Sequence, residues 1–306
     1  MIKVLYQGQD ITGSVSINHC VHDMFADGES DVLQITLNDT DRIWDSWGPK
    51  QGDIISLEYG AARTGKLFVY RCTPQNGLYS IAACAMPATA MENHSKAWEK
   101  VRFLQLAQEI AGRHGLALKQ YGVEDVLYSY VMQPGQPDFT FFQERCALEG
   151  CSFLVYDGSL ILYNQGYIES QGAVEIVEVT PENQYEYKDN GGRLYGSCTV
   201  TAGRYSGSFT AGNGAARALE PALTAYIGSN AEAARFAKGL LRQANRGAQT
   251  GILHTKILPG LAAGSMANFQ THGAKSWDGA SFIYHIRNNY ATGKSKIFFR
   301  KPLEGY

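Results

Sequence analysis

The chain has 306 residues, 44% hydrophobic and 18% charged, with a formal net charge of −2. That composition excludes wholesale disorder and gives enough apolar matter for packed cores, and the length predicts two or three domains of roughly 100–200 residues each. No apolar run approaches the roughly 18 residues of a membrane helix, and Met1-Ile2-Lys3-Val4-Leu5-Tyr6-Gln7 turns polar too soon for a secretory leader.

The 33 Gly, 18 Tyr and 13 Phe lean towards β structure, because Gly marks turns while Tyr and Phe fit a pleated, half-buried surface. Six cysteines (Cys20, Cys72, Cys84, Cys146, Cys151 and Cys198) contain no CxxC pair. With no secretory leader they are expected to be free, mostly buried thiols. The small net charge hides an asymmetry. Residues 1–216 carry 15 Lys and Arg against 25 Asp and Glu, whereas residues 217–306 carry 12 against 4.

Taken in order, residues 1–90 read as strands and turns. Val32, Ile35 and Leu37 fall in one strand, and Ile54–Tyr59, Lys66–Tyr70 and Leu78–Ala82 form three more, punctuated by Gly, Asp and Asn. From Ser95, a good cap, Phe103, Leu106, Ala107, Ile110 and His114 follow at helical spacing, and Gly115 stops the helix. A second helix is predicted from Asp138, presenting Phe139, Phe142 and Cys146 before Gly150. Asp157-Gly158 between apolar runs signals a hairpin. Residues 166–228 are Gly-rich and strand-like. A third helix, about 229–245, opens on Ser229-Asn230-Ala231-Glu232, the pattern of a capping box, and carries Ala233, Phe236, Ala237 and Leu240 on one face.

A diverged repeat flanks the middle. Gly65-Lys66-Leu67-Phe68-Val69-Tyr70 matches Gly279-Ala280-Ser281-Phe282-Ile283-Tyr284. Gly52 precedes the first block, Gly264 precedes the second, and a further strand follows each, ending at Ile81 and Ile297. This order reads as a duplicated β-barrel.

Motifs of enzymes and metal sites fail on inspection. Gly60-Ala61-Ala62-Arg63-Thr64-Gly65-Lys66 has the spacing of a phosphate loop, but Leu67 stands where a magnesium-binding Ser or Thr belongs and a strand follows. Gly212-Asn213-Gly214 lacks the third glycine of a dinucleotide fingerprint. In a strand, His19 and His22 would face opposite ways and share no metal. Glu99, Glu109, Glu144 and Glu149 lie on predicted helices beside Lys100, Arg102, Arg113 and Arg145, as on a solvated helix face. No catalytic, cofactor-binding or metal-binding residue is assigned, and no cofactor is expected. The cations of the last 90 residues are dispersed over a helix and strands, so no specific nucleic-acid binding is expected.

Three segments carry a family resemblance. They are Trp44-Asp45-Ser46-Trp47-Gly48-Pro49-Lys50-Gln51-Gly52-Asp53 with Thr64–Val69, then Tyr130–Phe142 through Glu149-Gly150-Cys151-Ser152-Phe153, and then Asp278-Gly279, Phe282-Ile283 and Arg300–Tyr306. In that order the chain resembles the phage late control protein D family, the baseplate hub of contractile tails, and the hub portion of type VI secretion spike proteins. The resemblance implies an α+β, mainly β fold, with two tube-protein-like β-barrels and a small α+β module between them. It divides the chain into 1–94 (first barrel, with strands within 170–205 able to complete it), 95–168 (middle module) and 169–306 (second barrel with one helix).

It further implies a non-enzymatic homotrimer that imitates a hexamer and joins a tail tube protein to a separate spike protein, since the chain stops at Tyr306 where secretion spikes continue. Tape-measure and other baseplate proteins are further expected partners, and DNA or cargo would pass through the lumen. Such a hub is assembled in the bacterial cytoplasm, without membrane insertion, as part of a virion tail or tailocin baseplate. Competing readings are a tail-associated peptidoglycan hydrolase and a tail-tip receptor- or carbohydrate-binding module. The charge split gives an expected interface: an acidic face of Asp23, Asp27, Glu29, Asp31, Asp39 and Asp41 meeting a basic face of Arg235, Lys238, Arg242, Arg246, Lys294, Lys296 and Arg300 on the next subunit.

Overall fold

Among residues 2–306, which the computed structural model describes, five α-helices accompany a mainly β chain. They are α1 (Ile43–Trp47), α2 (Phe103–Arg113), α3 (Asp138–Leu148), α4 (Gln165–Glu169) and α5 (Asn230–Asn245). None of them is long and apolar enough to cross a membrane.

A 14-stranded sheet forms the frame. Its first half runs in the spatial order Ile17–Phe25, Val32–Asn38, Leu78–Cys84, Leu67–Gln75, Ile54–Tyr59, Ile2–Tyr6. The second half runs Tyr185–Asp189, Gln249–Lys256, Lys294–Arg300, Gly279–Asn289, Met266–Thr271, Glu175–Val179. The two orders match strand for strand. Alternation explains the two faces: Leu33, Ile35 and Leu37 are buried, while Gln34 and Asn38 are exposed and Thr36 is half-buried on the opposite face. The second half has its own core of Val177, Leu253, Phe269, Ile283, Ile297 and Phe299.

The repeat extends to irregularities. Pairing of Leu67–Gln75 with Leu78–Cys84 skips one residue between Val69 and Arg71, and pairing of Gly279–Asn289 with Lys294–Arg300 skips one between Ile283 and His285. Tyr70 and Tyr284 are therefore bulged at equivalent points, where one extra residue bends the strand and sharpens its twist. Gly52, at φ +88°, donates its N–H to the Val69 carbonyl at 2.8 Å, and Gly264, at φ +86°, does the same to Ile283 at 2.8 Å. Both need the left-handed backbone that glycine adopts without a Cβ clash. The duplication expected from the sequence is thus present as two halves of one open sheet, and among the described residues closure into barrels is not seen.

Two differences separate the halves. Ile2–Tyr6 runs antiparallel to its neighbour, whereas Glu175–Val179 runs parallel. Between their first two strands, the first half spends only Ala26–Asp31, while the second inserts residues 190–248. That insertion holds α5 and a three-stranded sheet of Tyr195–Ala202, Tyr205–Thr210 and Arg217–Leu219. As for residues 170–205, Glu175–Val179 and Tyr185–Asp189 pair within the second half, and Tyr195–Ala202 belongs to the inserted sheet.

The middle combines an antiparallel ribbon (Asn93–Arg102 with Leu127–Pro137), α2, α3 and a three-stranded sheet. Ser95 caps no helix: it lies in the Asn93–Arg102 strand, and the helix begins only at Phe103. Strand pairing with Leu127–Pro137 overrides the local capping signal. α2 buries Phe103, Leu106 and Ile110 completely, each contributing about 1.5–3 kcal/mol. Asp138 opens α3 but makes no cap bond; its carboxylate turns into the protein instead. Asp157 and Gly158, at φ +46° and +71°, form the expected two-residue hairpin. In α5, Ser229 accepts from the Glu232 N–H at 3.1 Å, and Glu232 accepts in return from Gly228, one residue before the cap. The buried face uses Leu241 while Leu240 is only half-buried. Gly239 lets α5 cross α3, because a Cβ there would stand 2.3 Å from the Leu148 carbonyl oxygen.

Candidate assembly surface

The most informative geometry lies where the two half-sheets meet. Residues His285–Asn289 stay paired with Lys294–Phe298 on one edge and on the other pair antiparallel with Ile17–Phe25, placing Arg287 opposite Asp23 and His285 opposite Phe25. Backbone bonds close this seam at its ends, from Ala26 N–H to Tyr284 O (3.0 Å) and from Tyr290 N–H to Cys20 O (2.8 Å). Asp23 bonds His285 at 2.8 Å and faces Arg287 at 3.7 Å. His285 is stacked between Phe25 and Phe298, at 4.3 and 4.4 Å between ring centres. On the other side of the same strand, His22 is fully buried, 3.9 Å from the buried Asp31. That separation would suit an ion pair. Burial, however, pushes His22 down to about 4 and Asp31 up to about 7, each towards its neutral form.

The outward face of the sheet differs between halves. In the second half, His254, Lys296 and Arg287 stand side by side across three strands, and Lys256 stands directly opposite Lys294. The equivalent first-half row is Thr36, Ser80 and Thr73, with the Thr36 and Ser80 hydroxyls bonded at 2.9 Å. Like charges placed directly opposite on a sheet are destabilising, so the basic row costs the lone chain stability.

No family model matches the sequence, and no curated protein matches it either. Solved structures do match. The 43 kDa tail protein of prophage MuSo2 from Shewanella oneidensis is similar at a TM-score of 0.71 and 12% identity, over 98% of both chains. A tail protein from Neisseria meningitidis MC58 is similar at 0.73 and 12%, over 98% of this chain and 95% of that one. An E. coli protein, c3393, described as a component of the type VI secretion system with structural similarity to the T4 bacteriophage tail proteins gp27 and gp5, is similar at 0.63 and 12%, over 99% and 78%. The chain thus shares the fold of these tail and secretion-system proteins.

Within that fold, the residues expected at an acidic and a basic face are widely scattered. Asp23 sits at the intrachain seam. Asp27 pairs with Arg246 of the same chain at 3.2 Å. Asp31 is buried beside His22, and Asp39 is buried while accepting from the Trp44 N–H at 3.1 Å, which anchors α1. Glu29 and Asp41 are exposed. Arg235 bonds Glu149 at 2.7 Å. Arg242 and Arg300 are both buried on Glu169, with Arg300 at 2.5 Å and its guanidinium over the Phe282 ring. Lys238 and Lys294 are exposed and Lys296 half-buried on the basic row.

The other candidate motifs also find their places. Gly60-Ala61 turns a short hairpin in which Tyr59 pairs with Ala62. His19 is exposed on the face opposite the buried His22. Glu109 bonds Lys96, Trp98 and Arg113, and Glu149 bonds Tyr128 and Arg235. All six cysteines are unpaired.

One arrangement not singled out from the sequence resembles a catalytic triad. The Thr89 hydroxyl lies 2.9 Å from His114 Nδ1, and His114 Nε2 lies 2.9 Å from Asp138. Asp138 is wholly buried and also accepts from Arg113 at 2.7 Å and Gln133 at 2.9 Å, so its carboxylate is already saturated. An apolar cavity of about 390 Å³ at the seam and a polar one of about 710 Å³ beneath the C-terminal tail are both lined by other residues. The Asp138 cluster ties α2, α3 and the long ribbon together.

Proposed function

We propose that the chain is the structural hub of a contractile tail or injection system. Three copies close into a ring, and each contributes two half-sheets, so a true three-fold assembly presents six similar units. Such a ring meets a hexameric tail tube on one side and a trimeric spike on the other, and closed rotational symmetry keeps it finite. In the ring each half-sheet forms one tube-like barrel wall, 1–94 belonging to the first unit and 169–306 to the second, with 95–168 as the module between. The polar face, basic in one half and neutral in the other, lines the lumen through which DNA or protein cargo passes. Glu29 and Asp41 are the acidic residues, and Lys238 and Lys294 the basic ones, that remain free to meet across copies.

The observation that carries this reading is the strand-for-strand repeat inside one chain, down to the bulges at Tyr70 and Tyr284 and the glycines 52 and 264. Likeness to tail and secretion-system folds supports it. The proposed role uses no catalysis and no cofactor; the hub transmits force generated elsewhere. Light scattering tests it: the particle in solution should have three times the 33.6 kDa mass of one chain. A single-chain mass at every concentration would refute it.

A further inference from the structure

The seam inside one chain leaves a matching pair of open strand edges outside it. We infer that Tyr185–Asp189 of one copy pairs antiparallel with Arg71–Gln75 of the next, repeating between copies the seam that each copy makes within itself. The inference rests on the ring reading and gives that ring its contact.

The repeat fixes the register. In the first half Cys20 pairs with Ile35, and Ile35 with Ile81; in the second, Tyr185 pairs with Leu253, and Leu253 with Ile297. Ile81 and Ile297 are equivalent, so Tyr185 takes the place of Cys20 and Asp189 that of Met24. The matched bulges likewise put Cys72 in the place of Ile286. Within the chain Met24 stands opposite Ile286; between copies Asp189 therefore stands opposite Cys72.

Both edges are open and face the right way. Bonds from His254 N–H to Gln184 O (2.8 Å) and from Asn190 N–H to Ala248 O (2.6 Å) set which residues point inward. Tyr185, Tyr187 and Asp189 then direct their N–H and C=O groups outward, and Tyr185 is 50% exposed. Arg71–Gln75 pairs with Leu78–Cys84 on one side, and among the described residues its other edge carries no strand. Pro74 lies on that edge, where a proline removes no ladder bond within the sheet; its carbonyl still accepts from Tyr187. What is repeated is the backbone ladder. The Asp23–Arg287 pair has no counterpart, since Lys188 and Thr73 occupy those positions.

A hydrogen-bonded antiparallel pair places its Cα atoms about 5.5 Å apart, within the roughly 4.4–6.8 Å that a disulfide spans. Asp189→Cys in the full chain, oxidised at mildly alkaline pH because burial raises the Cys72 thiol, should give a covalent ladder in denaturing gels that ends at three chains. Adding Cys72→Ser should abolish it. As a second route, Lys188→Cys with Thr73→Cys should cross-link, and Lys188→Cys with Gln75→Cys, two residues out of register, should not. Trimers by light scattering that fail to cross-link at the first two pairs, or that cross-link at the shifted one, would overturn the seam and leave the ring standing. A monomer by light scattering would overturn both.

Discussion

The two half-sheets share a frame and differ in what they carry on it. Where the first half has Thr36, Ser80 and Thr73 on its outward row, the second has His254, Lys296 and Arg287. Where Leu78–Cys84 ends on Cys84, Lys294–Arg300 ends on the buried Arg300. The first two strands of the first half are joined by six residues, Ala26–Asp31; the second half opens at that point to admit residues 190–248. A duplicated sheet keeps its backbone irregularities, because bulges and left-handed glycines decide register and curvature. Its surface and connecting loops diverge, because side chains facing water and hairpin lengths constrain the frame little.

Breaking the node peculiar to the second half should have the largest effect. Glu169 holds Arg242 and Arg300 and also accepts from the Leu303 N–H at 3.0 Å. Glu169→Ala would leave two buried cations without their carboxylate and should cost about 3–5 kcal/mol in denaturant unfolding. An unchanged midpoint would show that the arginines find other partners.

The paired glycines sharpen the comparison quantitatively. Gly52→Ala should cost about 1–2 kcal/mol for the left-handed backbone alone, since no atom lies within 4 Å of its new Cβ. Gly264→Ala should cost more, because its Cβ would meet Leu154 Cδ2 at 3.1 Å. Equal losses in thermal unfolding would mean that Leu154 moves aside freely.

The seam gives a pH test. Asp31 rises to about 7 in the fold, so its contribution falls as pH climbs from its unfolded value towards 7; His22 drops to about 4, so its contribution grows from 4 towards its ordinary 6.5. The two slopes oppose each other in the wild type. Asp31→Asn removes the first, so the variant should gain stability from about pH 4 to 6.5 more steeply than the wild type does. Parallel pH profiles would contradict the neutral pair.

Relieving the basic row should have the smallest effect. Lys294→Glu, opposite Lys256, should stabilise the free chain by roughly 0.2–1 kcal/mol, and the gain should fade with added salt.

Much of the frame was legible in the sequence because its signals are local. The Gly–strand–Gly–strand order marked the repeat, Asp157-Gly158 marked its hairpin, and Ser229 with Glu232 marked α5. Ser95 misled, since a cap signal cannot reveal that its segment is paired with Leu127–Pro137. The charge split suggests two faces, yet Asp27 and Arg246, and Glu169 with Arg242 and Arg300, meet within one chain. Linear charge counts carry no information on contacts so far apart in sequence. The open edges were likewise invisible, except that Pro74 in a strand already favours an edge position.

The central claim is that one chain carries two equivalent sheet units so that three copies supply six. End-on electron-microscopy averages of the purified protein test it most directly. The account predicts a closed ring of six similar lobes with exact three-fold repetition; a ring with any other number of lobes, or isolated two-lobed particles throughout, would contradict it.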